Sequence, residues 1–139
     1  MKESMKLTEK QIETQILTYL AMANGCVFFK HNNTGIFDPK TKRFRTVQNK
    51  FIPKGASDIY GSFYGRAVYI EVKTPEEHAY IVKHYDDLKT YIGDSKKKNH
   101  VKNQINFLEL ARKNHCIAFF ACNLDQVKEM LRHPIIGAS

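Results

Sequence analysis

At 139 residues the chain is long enough for one domain spanning 1–139, of a size that buries roughly two thirds of its unfolded surface. Twenty-two Lys and Arg against fourteen Asp and Glu give a formal net charge of +8, which points to polyanionic partners, nucleic acid first and an anionic membrane second. No apolar run approaches the ~20 residues of a membrane span, and MKESMKLTEK lacks the apolar core of a signal peptide, so a soluble cytoplasmic protein with no membrane partner is expected. Cys26, Cys116 and Cys122 each sit in or beside an apolar run, and an odd number argues for buried, reduced thiols rather than a disulfide framework. Zinc is not expected, because there is no Cys-x-x-Cys or His-x-x-x-His pair and the six histidines are scattered.

The first helix opens at Thr8. Thr8 and Gln11 form a capping box, and Leu7 can staple onto Ile12. Ile12, Ile16, Tyr19, Leu20 and Ala23 make one apolar stripe, ended by Asn24 and Gly25. At a hundred degrees per residue Glu9 falls inside that stripe and Glu13 on its edge. An acidic residue in a first turn ordinarily complements the helix dipole, but two on the core side are less comfortable. Cys26 to His31 reads as the first strand, and Asn32, Asn33, Thr34 and Gly35 as a loop.

The following stretch, IFDPKTKRFRTVQNKFIP, carries an Asp38-Pro39 turn between segments that can pair as a hairpin. Its Lys40, Lys42, Arg43, Arg45, Lys50 and neighbouring Lys54 interleave with Phe37, Phe44 and Phe51. Most charge runs are solvated faces, but a basic hairpin just before a candidate metal site is a plausible phosphate clamp.

SDIYGSFYGRAVYIEVKT reads as two strands around a turn near Tyr64-Gly65-Arg66, with Asp58 in the first strand and Glu71 in the second. From Glu76 to Lys102, Ile81, Tyr85, Leu88 and Ile92 fall at helical spacing, followed by Gly93-Asp94-Ser95 and Lys96, Lys97, Lys98. That predicts an amphipathic helix plus a basic loop. A further helix carries Ile105, Leu108 and Ala111 on one face and stops near Asn114. CIAFFAC is a continuous apolar strand, and Asn123 caps a last helix with Leu124, Val127 and Leu131 inward, ended by Pro134.

The chemistry concentrates between Lys54 and Pro75. Glu71 and Lys73 leave a strand on the same face while Val72 points into the core. Buried charges at the end of an apolar strand are costly unless something charged is held there. Asp58 and Glu71 offer oxygen ligands suited to Mg²⁺ or Mn²⁺, the Val72 carbonyl is a possible further ligand, and Lys73 could orient a water and contact a phosphate. Taken as bare residues the Asp, Glu-x-Lys pattern is weak, and its bland reading is a surface ion pair of Glu71 with Lys73 or a neighbour.

Together these features resemble the VRR-NUC family of the PD-(D/E)XK nuclease superfamily. They are a Thr-Glu-x-x-Ile opening before Ile-Leu-x-Tyr-Leu, the Asn-Asn-Thr-Gly loop, Lys-Gly-Ala-Ser-Asp-Ile, Glu-Val-Lys-Thr-Pro, an Asn-Gln-x-x-Phe-Leu helix, an apolar strand and a final Asp-Gln-Val helix. The resemblance spans nearly the whole chain. It implies an α/β, restriction-endonuclease-like core, a mixed four-stranded sheet flanked by helices, here with an extra basic hairpin and a helical insertion over about 77–102. It implies catalytic Asp58, Glu71, Lys73 and Gln104, with a first-helix glutamate, Glu9 or Glu13, completing a Mg²⁺ or Mn²⁺ site of Asp58, Glu71 and the Val72 carbonyl. Aligning on Ile16-Leu17-x-Tyr19-Leu20 favours Glu9, whereas the distance to Gly25 in related junction resolvases favours Glu13.

DNA contacts are expected from Asn33, Thr34, Lys42, Arg43, Arg45, Lys54 and Ser57. Stand-alone phage and bacterial members imply a homodimer acting on branched DNA or four-way junctions in a bacterial cell. A restriction-like or nicking enzyme of the same superfamily, or a non-catalytic DNA-binding module, are the alternatives. Two features depart from the family pattern: Ser57-Asp58 stands where Pro-Asp is usual, and the 77–102 segment is longer than in minimal members.

Overall fold

The computed structural model describes residues 6–30, 36–45 and 54–132. Helix α1 (Glu9–Met22) leads into β1 (Cys26–Lys30), and a short hairpin follows, β2 (Ile36–Asp38) with β3 (Arg43–Arg45). Next come β4 (Ile59–Phe63) and β5 (Arg66–Val72), the crossover helices α2 (Pro75–Lys83), α3 (Tyr85–Lys89) and α4 (Lys96–Lys113), then β6 (Ile117–Ala121) and α5 (Leu124–Arg132). The architecture is α/β: a mixed four-stranded sheet in the order β1-β4-β5-β6, flanked by helices, with β2-β3 as a separate two-stranded ribbon.

Local chemistry accounts for the boundaries. Thr8 caps α1 as a full capping box, its hydroxyl accepting from the Gln11 N–H at 3.2 Å while the Gln11 side chain accepts from the Thr8 N–H at 2.8 Å. Tyr64 and Gly65, both at positive φ, make the two-residue turn between β4 and β5 that the right-handed twist of a hairpin favours. In the basic hairpin, Lys42 closes the turn at φ 55°, and its N–H and that of Lys40 are received by the backbone and side-chain oxygens of Asp38.

The period-2 alternation of β5 decides which chemistry faces which layer. Val68, Ile70 and Val72 point toward α1 and α5, where Ile12, Ile16, Leu20, Val127 and Leu131 complete the main core. Tyr69, by contrast, packs on the α4 side with Phe107, its ring meeting that of Phe107 edge-on at 5.2 Å. Glu71 is therefore turned toward α4. Strand β6, parallel to β5, is covered on both faces, as its unbroken apolar run implies.

Several expectations are corrected. The 76–102 segment is two short helices broken at His84, not one, and Lys96–Lys98 are the first turn of α4 rather than a loop. Helical spacing of Ile81, Tyr85 and Leu88 survives a one-residue break, so periodicity could not reveal it. Ser95, whose hydroxyl accepts from the Lys98 N–H at 3.2 Å, starts α4 despite the lysine run, and Ile92 is left almost fully exposed. Asp58 lies just before β4 rather than inside it. Cys26 and Cys116 are only half-buried and Cys122 is buried, all three being free thiols. Asn123 does cap α5, accepting from the Gln126 N–H at 2.8 Å. Pro134 lies outside the described residues.

Ile70 sits at the centre of the main core with no exposed surface. Ile70→Ala is expected to cost roughly 2–5 kcal/mol, the usual range for emptying a buried isoleucine site. Urea denaturation of the two proteins measures it.

Candidate active site

The β4–β5 register pairs Ile59 with Ile70, so the next pair outward is Asp58 with Glu71. Two carboxyl groups directly opposite each other repel when both are ionised. Here the Asp58 side chain stands close enough to Glu71 to raise the Glu71 carboxyl. Glu71 is 2% exposed, and burial, then the neighbouring Asp58 charge and their hydrogen bond, push its carboxyl up to about 10, opposed by the Lys73 ammonium. Its Oε2 accepts from the Asp58 backbone N–H at 3.3 Å and its Oε1 from Gln104 Nε2 at 2.8 Å.

Lys73, 7% exposed, follows the end of β5, where its N–H donates to the Ala121 carbonyl at 2.9 Å and fixes the strand end against β6. Gln104 comes from the middle of α4. Its Oε1 is buried without a hydrogen-bond partner, and its Nε2 also lies 3.2 Å from His100 Nε2, one helical turn back. An amide that donates to that nitrogen leaves the imidazole proton on Nδ1. Gly55, at φ 79°, lets the segment entering Asp58 lie against α4: a Cβ there would stand 2.3 Å from the Asn103 carbonyl atoms and 2.6 Å from the Gln104 nitrogen.

Asp58, Glu71, Lys73 and Gln104 line one cavity of about 770 Å³, and Glu9 faces them from the first turn of α1. Burial pushes the Glu9 carboxyl above its usual range, with Lys73 pulling it down and Glu77, Asp58 and Glu13 adding to the rise. Glu13 is elsewhere: one turn further along α1, it is buried and held by Lys30 Nζ of β1 at 2.8 Å. A helical wheel places both on the core side but does not say which reaches the end of the sheet. Val72 ends β5 with its side chain wholly buried, leaving only its backbone to contribute. Among the described residues no group of three or more His, Cys, Asp and Glu is drawn into ligand geometry.

The expected DNA contacts divide. Lys42, Arg43 and Lys54 are exposed and outside the cavity wall, and Arg45 lies in β3. Ser57 is 2% exposed with its hydroxyl unpartnered, so it is an interior residue rather than a surface contact: it precedes Asp58 in a segment pressed under α4. Asn33 and Thr34 lie outside the described residues. Sequence reading missed His100, Tyr80 and Lys97, which line the same cavity. The signal for His100 was its four-residue spacing from Gln104, hidden while that stretch was read as a loop. No family model, curated protein or solved structure matches the chain.

A carboxyl that binds its proton more tightly when folded contributes stability that is fully present below the ordinary carboxylate range and is lost as pH rises through its native value. For Glu71 that window runs from 4.5 to about 10. The metal-free protein should therefore lose stability between about pH 5 and pH 9, and Glu71→Gln, which takes up no proton on folding, should raise its stability at about pH 8 by roughly 1–4 kcal/mol. Thermal unfolding across pH in EDTA reads both. Gly55→Ala should lower the melting temperature.

Proposed function

We propose that this protein is a Mg²⁺- or Mn²⁺-dependent endodeoxyribonuclease with a restriction-endonuclease-like core of VRR-NUC type. The observation that carries the reading is the juxtaposition of Asp58 with the buried Glu71, flanked by Glu9 and Lys73 and held by Gln104, at the wall of a cavity. Two carboxylates forced together on a strand end are unfavourable by themselves, and a dication relieves both their repulsion and their desolvation. The donor set, all oxygen, fits a hard cation rather than zinc. Asp58, Glu71, the Val72 carbonyl and Glu9 would hold it, and the chemistry a bound dication supplies is charge neutralisation on the phosphate and a water of lowered pKa.

This chain's own groups account for the rest. Lys73, buried and lining the cavity, binds the phosphate oxygen on which charge develops. Gln104 fixes the orientation of Glu71 through its 2.8 Å hydrogen bond, a positioning role. Hydrolysis breaks one phosphorus–oxygen bond, with the water's hydroxide joining phosphorus and a proton passing to the leaving oxygen. The exposed Lys42, Arg43 and Lys54 and the +8 charge steer the polyanion to the site. The substrate assigned by resemblance is branched or otherwise structured DNA, cut by a homodimer of single-domain chains in the bacterial or phage-infected cytoplasm. No helix among the described residues is long and apolar enough to cross a membrane.

The test is incubation with Mg²⁺ or Mn²⁺ and a panel of plasmid, flap, single-stranded and four-way junction DNA. Cleavage should require the metal and fall roughly 100-fold or more in Asp58→Ala and Lys73→Ala. Activity that survives both substitutions removes the assigned site. Salt-sensitive binding with no cleavage of any substrate makes the protein a DNA-binding module. Sedimentation that shows a monomer with and without DNA ends the paired-incision idea.

A further inference from the structure

The cavity is larger than a phosphate and its cation require. The end lined by the crossover helices has Ile81, Leu88 and Val101, all buried and packed together, as an apolar floor, with Tyr80 at 44% exposure, Lys97, Lys98, Glu76 and Glu77 also in the wall. We propose that this end is a subsite for one unpaired deoxyribonucleotide of the strand whose phosphate lies at Asp58 and Glu71. It deepens the nuclease reading and rests on it.

Size, shape and charge agree. About 770 Å³ lies within the range of sites that enclose a small organic ligand, enough for a nucleoside beside a phosphodiester group. A base stacked in a duplex cannot enter such a pocket, so the occupant must be single-stranded or turned out of the stack. An apolar floor with a half-exposed aromatic ring is the chemistry that receives a base face without regard to sequence. The Tyr80 ring is backed by His84, with ring centroids 4.7 Å apart.

Lys97 and Lys98 offer cations to the adjoining backbone phosphate, Lys98 Nζ resting 5.3 Å from the Tyr91 ring centre. Glu76 and Glu77, on the α2 wall, repel phosphate from that side, and Glu76 is 3.2 Å from Lys6. The polarity is therefore defined: backbone toward α4, base toward α2.

Two measurements test this, with Tyr80→Ala, Tyr80→Phe and the double variant Lys97→Ala/Lys98→Ala, all at exposed positions and checked for folding by circular dichroism. In the first, a short single strand carrying 2-aminopurine is titrated with each protein in Mg²⁺ on the Lys73→Ala background. In the second, cleavage is compared between a fully paired duplex and the same sequence with an unpaired arm. The expected results are a 2-aminopurine fluorescence change that Tyr80→Phe retains, affinity lowered roughly tenfold to a hundredfold by Tyr80→Ala, and cleavage confined to the unpaired arm.

Equal cutting of paired and unpaired DNA, or a fluorescence change indifferent to Tyr80, overturns the subsite while leaving the nuclease reading intact. Tyr80-dependent binding with no cleavage by the wild-type protein supports the subsite and overturns the nuclease reading instead.

Discussion

The Asp58–Glu71 contact is the constraint to which the rest of the site answers. Two carboxyl groups brought side by side, Asp58 just before β4 and Glu71 in β5, cost stability whenever both are charged, and the burial of Glu71 raises that cost. The fold enforces their meeting. Ile59 and Ile70, the neighbouring pair, are locked into the main core without exposed surface, so slipping the register would turn isoleucines out and carboxyls in. The hydrophobic core thus provides the energy that holds an unfavourable polar pair in place.

Helix α4 completes the constraint from the other layer. It covers the β5–β6 half of the sheet through Tyr69, Phe107 and Ala118, and the same face brings Gln104 onto Glu71. Gly55 is what allows the Asp58 segment to approach α4 at backbone distance. Tyr85 donates to Glu109 at 2.9 Å, and Lys89 pairs with the same carboxylate at 2.8 Å, tying α3 to α4. The apolar floor of the cavity and the Glu71 partner therefore belong to one connected unit, so a change that shifts α4 moves both together.

Much of this was legible from residues because it depends on short periods. The capping box at Thr8, the Tyr64-Gly65 turn, the apolar β6 run and the common facing of Glu71 and Lys73 are all decided within a few residues. What stayed hidden depends on height along an axis or on tertiary contact. Glu9 and Glu13 share a helix face, and only the positions of Lys30 and the sheet end separate them. Helix α4 begins at a serine cap that a lysine run disguised as a loop, which in turn hid His100 and the lysines of the cavity rim. Burial of Ser57 follows from the close approach at Gly55, which has no local signature beyond the glycine itself.

The charge inside the cavity runs against that of the chain. Its wall carries five carboxyl groups, Glu9, Asp58, Glu71, Glu76 and Glu77, against the ammonium groups of Lys73, Lys97 and Lys98. A phosphate arriving alone would meet a net negative wall within a protein of net charge +8. In the proposed nuclease, attraction at long range and repulsion at the last step would be reconciled by a cation that enters with, or before, the phosphate. On that reading the surface cations would govern how fast a strand arrives, whereas the acidic wall around Asp58 and Glu71 would make a divalent ion the condition for its seating.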